Sequence, residues 1–223
     1  MQITERLISL VAPHECLECG REGHILCELC AAHLPPPVSR CYRCGEPAMS
    51  TNICSDCSLD SSIAAMWPAA EYVGVVKEIV HRLKFGRAQA AANDMAVVVA
   101  ARVPKELPLT LITYVPTAHT RVRQRGYDQA ALLAKAVARE LGLPYAPLLA
   151  RMGSARQVGA SGMQRRRQLR GSFRPRSSRL AQNTYILLID DVLTTGSTLE
   201  SAARVLRSMG AAKVSAATFA QAS

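Results

Sequence analysis

The stretch that decides the fold runs Tyr185-Ile-Leu-Leu-Ile-Asp190-Asp191-Val-Leu-Thr194-Thr195-Gly196-Ser197-Thr198. Its apolar first half predicts a buried strand from Thr184 to Ile189. Ser197 with Glu200 three residues later matches a capping box, and the apolar spacing that follows predicts an amphipathic helix. Two carboxylates and a loop of small hydroxyl residues therefore connect a strand end directly to a helix start.

This loop has the chemistry of a sugar-phosphate site. The first N–H groups of a helix lack intrahelical partners and carry partial positive charge, so an anion binds well there. Gly196 lets the backbone approach such an anion closely. Asp190 and Asp191 come just before the loop, where they can hold ribose hydroxyls directly or a magnesium ion that bridges to a diphosphate. The plainer alternative is a buried strand that ends in an Asx turn before a capped helix.

A second loop between a predicted strand and a predicted helix is rich in arginine. The strand runs from Leu111 to Val115, and the loop carries Arg121, Arg123 and Arg125. In an extended loop these alternate positions face one side, which suits several oxygens of a pyrophosphate group. The alternative is a solvated basic loop. Asp128 follows at the start of the helix, where a helix cap is favoured over a general base.

The rest of the pattern predicts an α/β fold with a mostly parallel sheet, whose ligand loops lie at the carboxyl ends of the strands. A later strand is predicted from Lys213 to Phe219, and helices at about Val75 to Lys84 and Ala88 to Arg102 are expected to cover the faces of the sheet. The segment from Arg151 to Leu180 contains nine arginines and no acidic residue, so it accounts for most of the net charge of +10. It predicts either a lid over a bound diphosphate or a basic loop.

All eight cysteines lie in the first 57 residues, in the four pairs Cys16-x-x-Cys19, Cys27-x-x-Cys30, Cys41-x-x-Cys44 and Cys54-x-x-Cys57. This spacing lets both thiolates of a pair bind one tetrahedral ion, and two pairs complete a closed structural zinc site. The pairs therefore predict two zinc sites in an N-terminal domain of residues 1–60, ahead of a larger domain of residues 61–223. Sequential assignment of the pairs is favoured, and a crossed assignment stays open.

Disulfide bonds are the competing interpretation of these cysteines. The chain has no apolar stretch of 18 residues and no cleavage signature near its start, which predicts a cytoplasmic protein, where disulfides are rare. His14, His24 and His33 are predicted to be surface residues, since eight cysteines suffice as ligands. With few large apolar residues between Cys16 and Cys57, metal is expected to stabilise this domain, on the order of 10 kcal/mol per site.

The run from Asp190 to Thr198 resembles the phosphoribosyl pyrophosphate (PRPP) loop of type I phosphoribosyltransferases. The chain also resembles the ComF family in the four cysteine pairs, in Leu83-Lys84-Phe85, in Arg121-x-Arg123-x-Arg125-Gly126-Tyr127-Asp128-Gln129, and in the segments from Arg156 to Gly159 and from Arg170 to Phe173. The resemblance covers nearly the whole chain. It implies a double zinc ribbon followed by a type I phosphoribosyltransferase fold.

The resemblance also implies an activity. It implies a magnesium-dependent phosphoribosyltransferase with an unknown acceptor, in which Asp190 and Asp191 contact ribose and the three alternating arginines offset the charge of the leaving pyrophosphate. The PRPP-binding residues that it implies are Asp190, Asp191, Thr194, Thr195, Gly196, Ser197 and Thr198. The reaction would be attack at the anomeric carbon with loss of pyrophosphate, and no covalent nucleophile is needed.

A second hypothesis comes from the family's link to natural transformation. It makes single-stranded DNA and helicase or uptake proteins of the competence machinery candidate partners, and it leaves a homo-oligomer open. In that case the chain is a non-catalytic PRPP-sensing or single-stranded nucleic-acid-binding module. The whole chain has three Phe, six Tyr and one Trp, and the arginine-rich segment contains only Phe173, so DNA binding by that segment is expected to be mainly electrostatic.

Overall fold

The structure is a computed structural model, and it describes residues 14–49, 51–86, 88–152, 172–176, 180 and 183–222. Its strands are β1 (Met66–Glu71), β2 (Leu111–Tyr114), β3 (Leu149–Arg151), β4 (Phe173–Pro175), β5 (Tyr185–Leu193) and β6 (Lys213–Gln221). Its helices are α1 (Glu28–Ala32), α2 (Ser55–Leu59), α3 (Gly74–Phe85), α4 (Ala88–Arg102), α5 (His119–Arg125), α6 (Gln129–Leu141) and α7 (Ser197–Ser208). Four strands form a parallel sheet in the order β1-β6-β5-β2, and β3 pairs with β4 in a small antiparallel ribbon. The predicted α/β fold with a parallel sheet is confirmed.

The two faces of the sheet carry different layers, because side chains along a strand alternate between faces. Leu187 and Ile189 of β5 pack with α3, α4 and α6, on what we call the α4 face. Ile186 and Leu188 pack with α7, on what we call the α7 face. All four side chains are fully buried. The helices predicted near residues 75–84 and 88–102 thus form, and both lie on the α4 face.

The two cysteine-rich segments pack on opposite faces. The first ribbon (residues 14–34) buries Ile25 and Leu26 in the core of the α4 face. The second ribbon (residues 39–49 and 51–62) buries Tyr42 and Ile53 in the core of the α7 face. Apolar burial against the sheet therefore adds to whatever a metal contributes, because each ribbon shares its core with the sheet. A domain boundary at residue 60 stays a prediction.

Strand β5 is longer than the sequence pattern predicts. It continues to Leu193, because Asp190 and Val192 pair with Thr218 and Ala220 of β6. Strand β2 on the other side ends at Tyr114, opposite Ile189. The end of β5 therefore has a neighbour on one side only, and a crevice opens beside the two aspartates.

The prediction of an extended arginine loop after β2 is wrong. Arg121, Arg123 and Arg125 lie in helix α5, which ends at Gly126 in the left-handed conformation with φ +80°. The N–H of Gly126 donates to the carbonyl of Val122 and closes the last turn. Arginine and glutamine are good helix formers, and the glycine supplies the stop, so a short helix forms where the alternation of arginines suggested an extended chain.

The predicted capping box at the start of α7 is also wrong. Gly196 is the N-cap residue, and no side chain caps this helix. The backbone N–H of Glu200 donates to the carbonyl of Gly196 at 2.9 Å. Ser197 is therefore the first helical residue rather than the N-cap, and Glu200 lies one position beyond the place that a capping box requires. Its carboxylate instead accepts hydrogen bonds from the second ribbon. The predicted helix itself forms and buries Leu199 and Leu206.

Helix α6 follows its prediction closely. Asp128 is its N-cap, and its carboxylate accepts hydrogen bonds from the N–H groups of Ala130 and Ala131. The helix ends at Gly142, which has a left-handed φ of +64°.

Most of the arginine-rich segment lies outside the described residues, since 153–171 and 177–179 are not part of them, and the predicted lid stays a prediction. Within the described parts of the chain, none of the helices combines the length and apolar character needed to cross a membrane.

Candidate functional site

The eight cysteines form two clusters of four sulfur atoms. The first consists of Cys16, Cys19, Cys27 and Cys30, the second of Cys41, Cys44, Cys54 and Cys57, and in each the sulfurs lie within 4.8 Å of one another. The sulfurs of Cys19 and Cys27 are 3.7 Å apart, as are those of Cys44 and Cys54. A tetrahedron of sulfurs about 2.3 Å from a zinc ion has edges of about 3.8 Å, so these distances fit zinc. The sequential assignment is confirmed and the crossed assignment is wrong.

The thiols of each cluster are not joined by disulfide bonds, and their pKa values are shifted in both directions. All eight are free cysteines, and 3.7 Å is far longer than a disulfide bond. Burial raises the pKa of Cys16, but backbone N–H groups of Cys27, Cys19 and Glu18 outweigh burial and bring the pKa to about 6. Burial and the neighbouring thiols raise the pKa of Cys57, in the other cluster, to about 12. A divalent cation allows all four thiols of a cluster to ionise together, which is what zinc ligands require.

The histidines near the clusters are not part of them. Both metal-capable groups found among the described residues contain cysteine sulfur alone. His24 is half-exposed and its Nδ1 lies 3.2 Å from Oδ1 of Asp94 on α4. His33 is exposed, and its Nδ1 lies 2.7 Å from the carbonyl oxygen of Leu29. The prediction that these two histidines are surface residues is confirmed.

A pocket of about 630 Å³ lies at the carboxyl ends of β2 and β5. Its volume is within the range of small-molecule sites. Its lining includes Pro116, Thr117, His119, Arg121, Arg123, Gln129, Arg151, Asp190, Asp191 and Thr198. The crevice beside β5 thus brings together two carboxylates, three guanidinium groups and the first turn of α7. This charge pattern suits a ligand that is anionic at both ends and carries hydroxyl groups between them.

The two adjacent aspartates face opposite sides of the sheet, as neighbours in a strand do. Asp191 faces the α4 face, where its Oδ2 forms an ion pair of 2.9 Å with Nζ of Lys84 at the end of α3. Asp190 faces the α7 face, where Arg151 lies close enough to act on it electrostatically. The side chains of Lys84 and Asp191 are 24% and 11% exposed, so their pair is partly screened from water. One acid is thus paired within the protein, and the other is oriented toward the pocket's arginines.

The carboxyl group of Asp190 is held in an unfavourable electrostatic position. Burial raises its pKa well above the usual range, and the negative charge of Asp191 raises it further. The N–H of Asp191, which donates to Asp190 Oδ1 at 2.9 Å, and the charge of Lys84 act in the opposite direction. A carboxylate in this position gains from a cation or from hydroxyl donors of a ligand. The oxygen donors of Asp190 and Asp191 fit magnesium, which prefers carboxylate ligands.

The structure separates the three predicted arginines. Arg121 and Arg123 line the pocket, whereas Arg125 does not. Arg125 donates to Oε1 of Gln129 at 2.8 Å, and its guanidinium carbon lies 4.7 Å from the ring centre of Phe85. Arg151 takes the third place in the lining, and it donates to the carbonyl of Pro116 at 3.3 Å. The prediction that Arg125 contacts the ligand is therefore unsupported by its position.

The 194–198 loop connects β5 to α7. Thr194 and Thr195 are exposed, and Gly196 is buried with φ +66°. The hydroxyls of Thr195 and Ser197 lie 2.8 Å apart. Thr198, in the first turn of α7, is the member of the loop that lines the pocket. The loop therefore lies at the helix N-terminus as predicted, with Thr194 and Thr195 exposed and Thr198 in the pocket.

Asp128 holds one residue of the pocket lining in place. Besides capping α6, its carboxylate accepts hydrogen bonds from the N–H of Thr117 at 3.0 Å and from its hydroxyl at 2.9 Å. Thr117 lines the pocket. Asp128 thus fixes the loop after β2 against α6, and the predicted role as a helix cap is confirmed.

Sequence reasoning missed three residues that the fold brings to the site. Lys84 was part of a motif without a role, and its contact with Asp191 spans more than a hundred residues. Arg151 stands in the sequence as one of nine arginines in a basic segment. Tyr42 lies in the cysteine-rich region but contacts Gly196. A local sequence pattern cannot predict these contacts, because each joins elements that meet only in the folded chain.

Comparison with known proteins agrees with this architecture. The family model described as a double zinc ribbon domain matches residues 7–58, and the one described as a phosphoribosyl transferase domain matches residues 128–223. Together with the parallel sheet and the two tetra-cysteine clusters, these matches define the class. The chain is a double zinc ribbon protein with a type I phosphoribosyltransferase fold.

Curated relatives match this chain over most of its length. DNA utilization protein YhgH of Salmonella typhi is 32% identical over 199 residues, which cover 85% of this chain and 87% of that protein. Competence protein F of Haemophilus influenzae is 29% identical, with 89% and 93% covered, and Competence protein ComFC of Bacillus subtilis is 28% identical, with 97% and 89% covered. The chain belongs to the ComF family.

Solved structures also overlap with this chain. Glutamine PRPP amidotransferase of Bacillus subtilis matches with a TM-score of 0.42 and 18% identity, over 58% of this chain and 26% of that one. Adenine phosphoribosyltransferase of Thermoanaerobacter pseudethanolicus matches with a TM-score of 0.40 and 15% identity, over 59% of this chain and 80% of that one.

Proposed function

We propose that this chain binds PRPP with magnesium in the pocket beside β5 and transfers its phosphoribosyl group to an acceptor. The observation that carries the proposal is the meeting of Asp190, Asp191, Arg121, Arg123 and the first turn of α7 in one pocket. PRPP has a phosphate at one end, a diphosphate at the other and ribose hydroxyls between them. The pocket offers groups for each of these parts.

Each part of the ligand has a proposed partner. The 5′-phosphate lies at the N-terminus of α7, where Thr198 lines the pocket and the helix dipole favours an anion. The ribose hydroxyls donate to Asp190, because burial and the charge of Asp191 raise the pKa of this carboxyl group and its ionised form gains from such donors. The diphosphate lies toward Arg121, Arg123 and Arg151, which supply bidentate donors. Asp190 would be the first protein ligand of a bound magnesium ion, and Asp191 would join it only by releasing Lys84. The ion would offset the charge of the diphosphate.

The proposed reaction is a substitution at the anomeric carbon. The acceptor atom forms a bond to this carbon, the bond to the diphosphate oxygen breaks, and pyrophosphate leaves with the electron pair. The acceptor's proton passes to solvent. Positive charge develops on the ribose ring, and the carboxylate of Asp190 is placed to stabilise it. The guanidinium groups of Arg121 and Arg123 stabilise the negative charge that collects on the leaving group.

Calorimetric titration of PRPP with magnesium tests the binding step. Wild type is expected to bind, and the double variant Asp190→Asn, Asp191→Asn is expected to lose binding. Glu78→Gln serves as the matched control, because Glu78 is an exposed carboxylate on α3 that pairs with Arg82. Absence of binding by wild type at millimolar PRPP would refute the proposal.

Release of pyrophosphate in the same samples tests the transfer step. The assay is run with and without single-stranded DNA and with a pool of nucleobases. Release that depends on one additive identifies the acceptor class. Binding without release in any sample favours the alternative that the chain senses PRPP without turning it over.

A second candidate function is binding of single-stranded nucleic acid next to this pocket. Phe85 is 64% exposed at the end of α3, with the guanidinium of Arg125 at 4.7 Å and the ring of His81 at 5.0 Å from its ring centre. The neighbouring Lys84 reaches the pocket through Asp191. An exposed aromatic ring among cationic side chains is suited to stacking a base while the cations contact phosphates. The names of the relatives, which refer to competence and DNA utilization, agree with this candidate.

Fluorescence anisotropy with labelled single-stranded DNA tests this second function. We expect Phe85→Ala to weaken binding about 5- to 150-fold, since stacking of one base contributes about 1–3 kcal/mol. Leu59→Ala is the matched control, because Leu59 is an apolar side chain that is 85% exposed in the second ribbon. Equal affinities of the two variants would exclude Phe85 as a stacking platform.

A further inference from the structure

The 194–198 loop lies directly against the second ribbon. Gly196 has φ +66°, a conformation that L-residues with side chains rarely adopt. A Cβ atom at this position would overlap Cδ2 of Tyr42 and lie 2.9 Å from its Cε2. The tyrosine ring therefore closes the space behind the loop. Glycine is required here both by the backbone angle and by the ring.

Tyr42 is fixed at both ends. The residue is 6% exposed and packs in the core of the α7 face. Its backbone N–H donates to the carbonyl of Asn52 at 3.0 Å, within the second ribbon. Its hydroxyl donates to Oε2 of Glu200 at 2.8 Å and lies 2.6 Å from the hydroxyl of Ser61. The position of the ring is thus set by the ribbon on one side and by α7 on the other.

Glu200 connects the ribbon to the first part of α7. Its Oε1 accepts from the N–H of Ser62 at 2.8 Å, and its Oε2 accepts from the hydroxyl of Ser61 at 3.1 Å as well as from Tyr42. Its own N–H donates to the carbonyl of Gly196 at 2.9 Å. One carboxylate therefore ties three groups of the ribbon to the turn of helix that begins at the loop.

We propose that Tyr42 is a positioning residue for the 194–198 loop. Its ring keeps Gly196 in the left-handed conformation, and its hydroxyl, through Glu200, keeps the first turn of α7 oriented toward the pocket. The N–H groups at this helix start are the ones that would meet the 5′-phosphate, so the inference rests on the proposed function. Tyr42 itself does not line the pocket and acts through the loop.

Two variants of Tyr42 separate the hydroxyl from the ring. Tyr42→Phe keeps the ring and removes the hydrogen bonds to Glu200 and Ser61, and we expect about 3- to 10-fold weaker binding of ribose 5-phosphate and of PRPP. Tyr42→Leu also removes the wall behind Gly196, and we expect a loss of up to about 100-fold. Affinity for magnesium pyrophosphate, which has no 5′-phosphate, is expected to stay unchanged in both. A general structural defect would weaken all three ligands together.

Tyr185→Phe is the matched control. Tyr185 is also a buried tyrosine, and its hydroxyl lies 3.0 Å from the hydroxyl of Ser215, at the other end of β5. We expect its removal to leave all three affinities unchanged. A combination with Gly196→Ala provides a second check. The alanine should weaken ribose 5-phosphate binding strongly in wild type and much less in Tyr42→Leu, because the overlap with the ring is then absent.

Hydrogen exchange of the ligand-free protein gives a readout that does not depend on PRPP. If Tyr42 positions the loop, amide exchange at residues 196–200 accelerates at least about 10-fold in Tyr42→Leu and stays unchanged in Tyr185→Phe. Zinc content is measured in each variant, and two ions per chain show that both ribbons are intact. If wild type binds no PRPP but amide exchange is faster in Tyr42→Leu than in wild type, the proposed function is refuted and the positioning role is supported. Unchanged exchange together with unchanged ribose 5-phosphate affinity would overturn the positioning role.

Discussion

The two faces of the sheet are built alike but relate differently to the pocket. Each face holds one zinc ribbon, and in each case one helical carboxylate accepts hydrogen bonds from that ribbon. Asp94 of α4 accepts from the N–H groups of Ile25 and Leu26 at 2.7 and 2.9 Å. Glu200 of α7 accepts from the N–H of Ser62 and from the hydroxyl of Tyr42. The first anchor lies in the interior of α4, whereas the second lies four residues after Gly196.

A ribbon that is held by a helical carboxylate therefore serves a different purpose on each face. On the α4 face, the ribbon covers apolar helix surface and extends the core. On the α7 face, the ribbon does this as well, but its tyrosine also forms the wall behind the 194–198 loop. We therefore expect the second ribbon to influence ligand binding and the first to influence stability alone.

Disruption of the two cysteine clusters, one at a time, is expected to give the largest difference in PRPP affinity. Cys41→Ser with Cys44→Ser disrupts the second cluster, and Cys16→Ser with Cys19→Ser disrupts the first. Each pair should lower the zinc content from about two ions to about one, because each cluster closes one tetrahedral site. The second-cluster variant should lose about 100-fold or more in PRPP affinity, since the wall behind the loop depends on that ribbon. The first-cluster variant should stay within about 3-fold of wild type.

Zinc analysis, circular dichroism and calorimetric titration are the measurements for this contrast. Circular dichroism shows whether the sheet and its helices remain folded at the temperature of the titration. Equal losses of PRPP affinity in the two variants would mean that the ribbons act on the whole fold, and the contrast between the faces would disappear.

The two anchoring carboxylates allow a milder version of the same comparison. Asp94→Ala and Glu200→Ala each remove a carboxylate that is almost buried and leave backbone N–H donors without their acceptor. Each should lower the free energy of unfolding by about 2–3 kcal/mol. Only Glu200→Ala should also weaken PRPP binding, by about 10-fold, because it releases the first turn of α7. Denaturant unfolding and titration on the same samples separate the two effects, and a similar loss of affinity in Asp94→Ala would contradict the assignment.

Features encoded by local spacing could be predicted from the sequence. The order of β5, the 194–198 loop and α7 follows from an apolar run, two acids and an amphipathic pattern. The sequential pairing of the cysteines follows because a short loop brings adjacent pairs together. Asp128 caps α6 because its side chain bonds to N–H groups only two and three residues away. Each of these contacts lies within one turn, one ribbon or one strand-to-helix connection.

Features that depend on which elements meet could not be predicted. Alternating arginines suggested an extended loop, but Gly126 ends a short helix there, and Phe85 from another helix takes up Arg125. The spacing of Ser197 and Glu200 suggested a capping box, but the second ribbon offers Glu200 three donors that are absent from the isolated helix. At Glu200 a distant partner takes the place of the local pattern, whereas at Arg125 the distant ring adds to a helix that local propensity and Gly126 already define.

The smallest expected effect is a difference in thermal stability between variants of the two pocket aspartates, Asp190 and Asp191, which face different sides of the sheet. Burial and the charge of Asp191 raise the pKa of Asp190, so the folded protein binds this proton more tightly than the unfolded chain. The free energy of unfolding then falls as pH rises above the usual pKa of 3.8, and it keeps falling up to the raised pKa. Asp190→Asn removes this cost and should raise Tm by about 2–4 °C at pH 8, the shift that roughly 1 kcal/mol causes in a chain of this size. The gain should shrink toward pH 5.

Asp191→Asn is expected to act in the opposite direction, because it leaves the ammonium group of Lys84 without its partner. Thermal unfolding from pH 5 to 8 in magnesium-free buffer measures both variants against wild type. If Asp190→Asn lowers Tm at pH 8, its carboxylate is stabilised in the free protein rather than strained. Asp190 would then have no need of a ligand cation or hydroxyl, and the contrast between an acid paired on the α4 face and an acid left for the ligand on the α7 face would be lost.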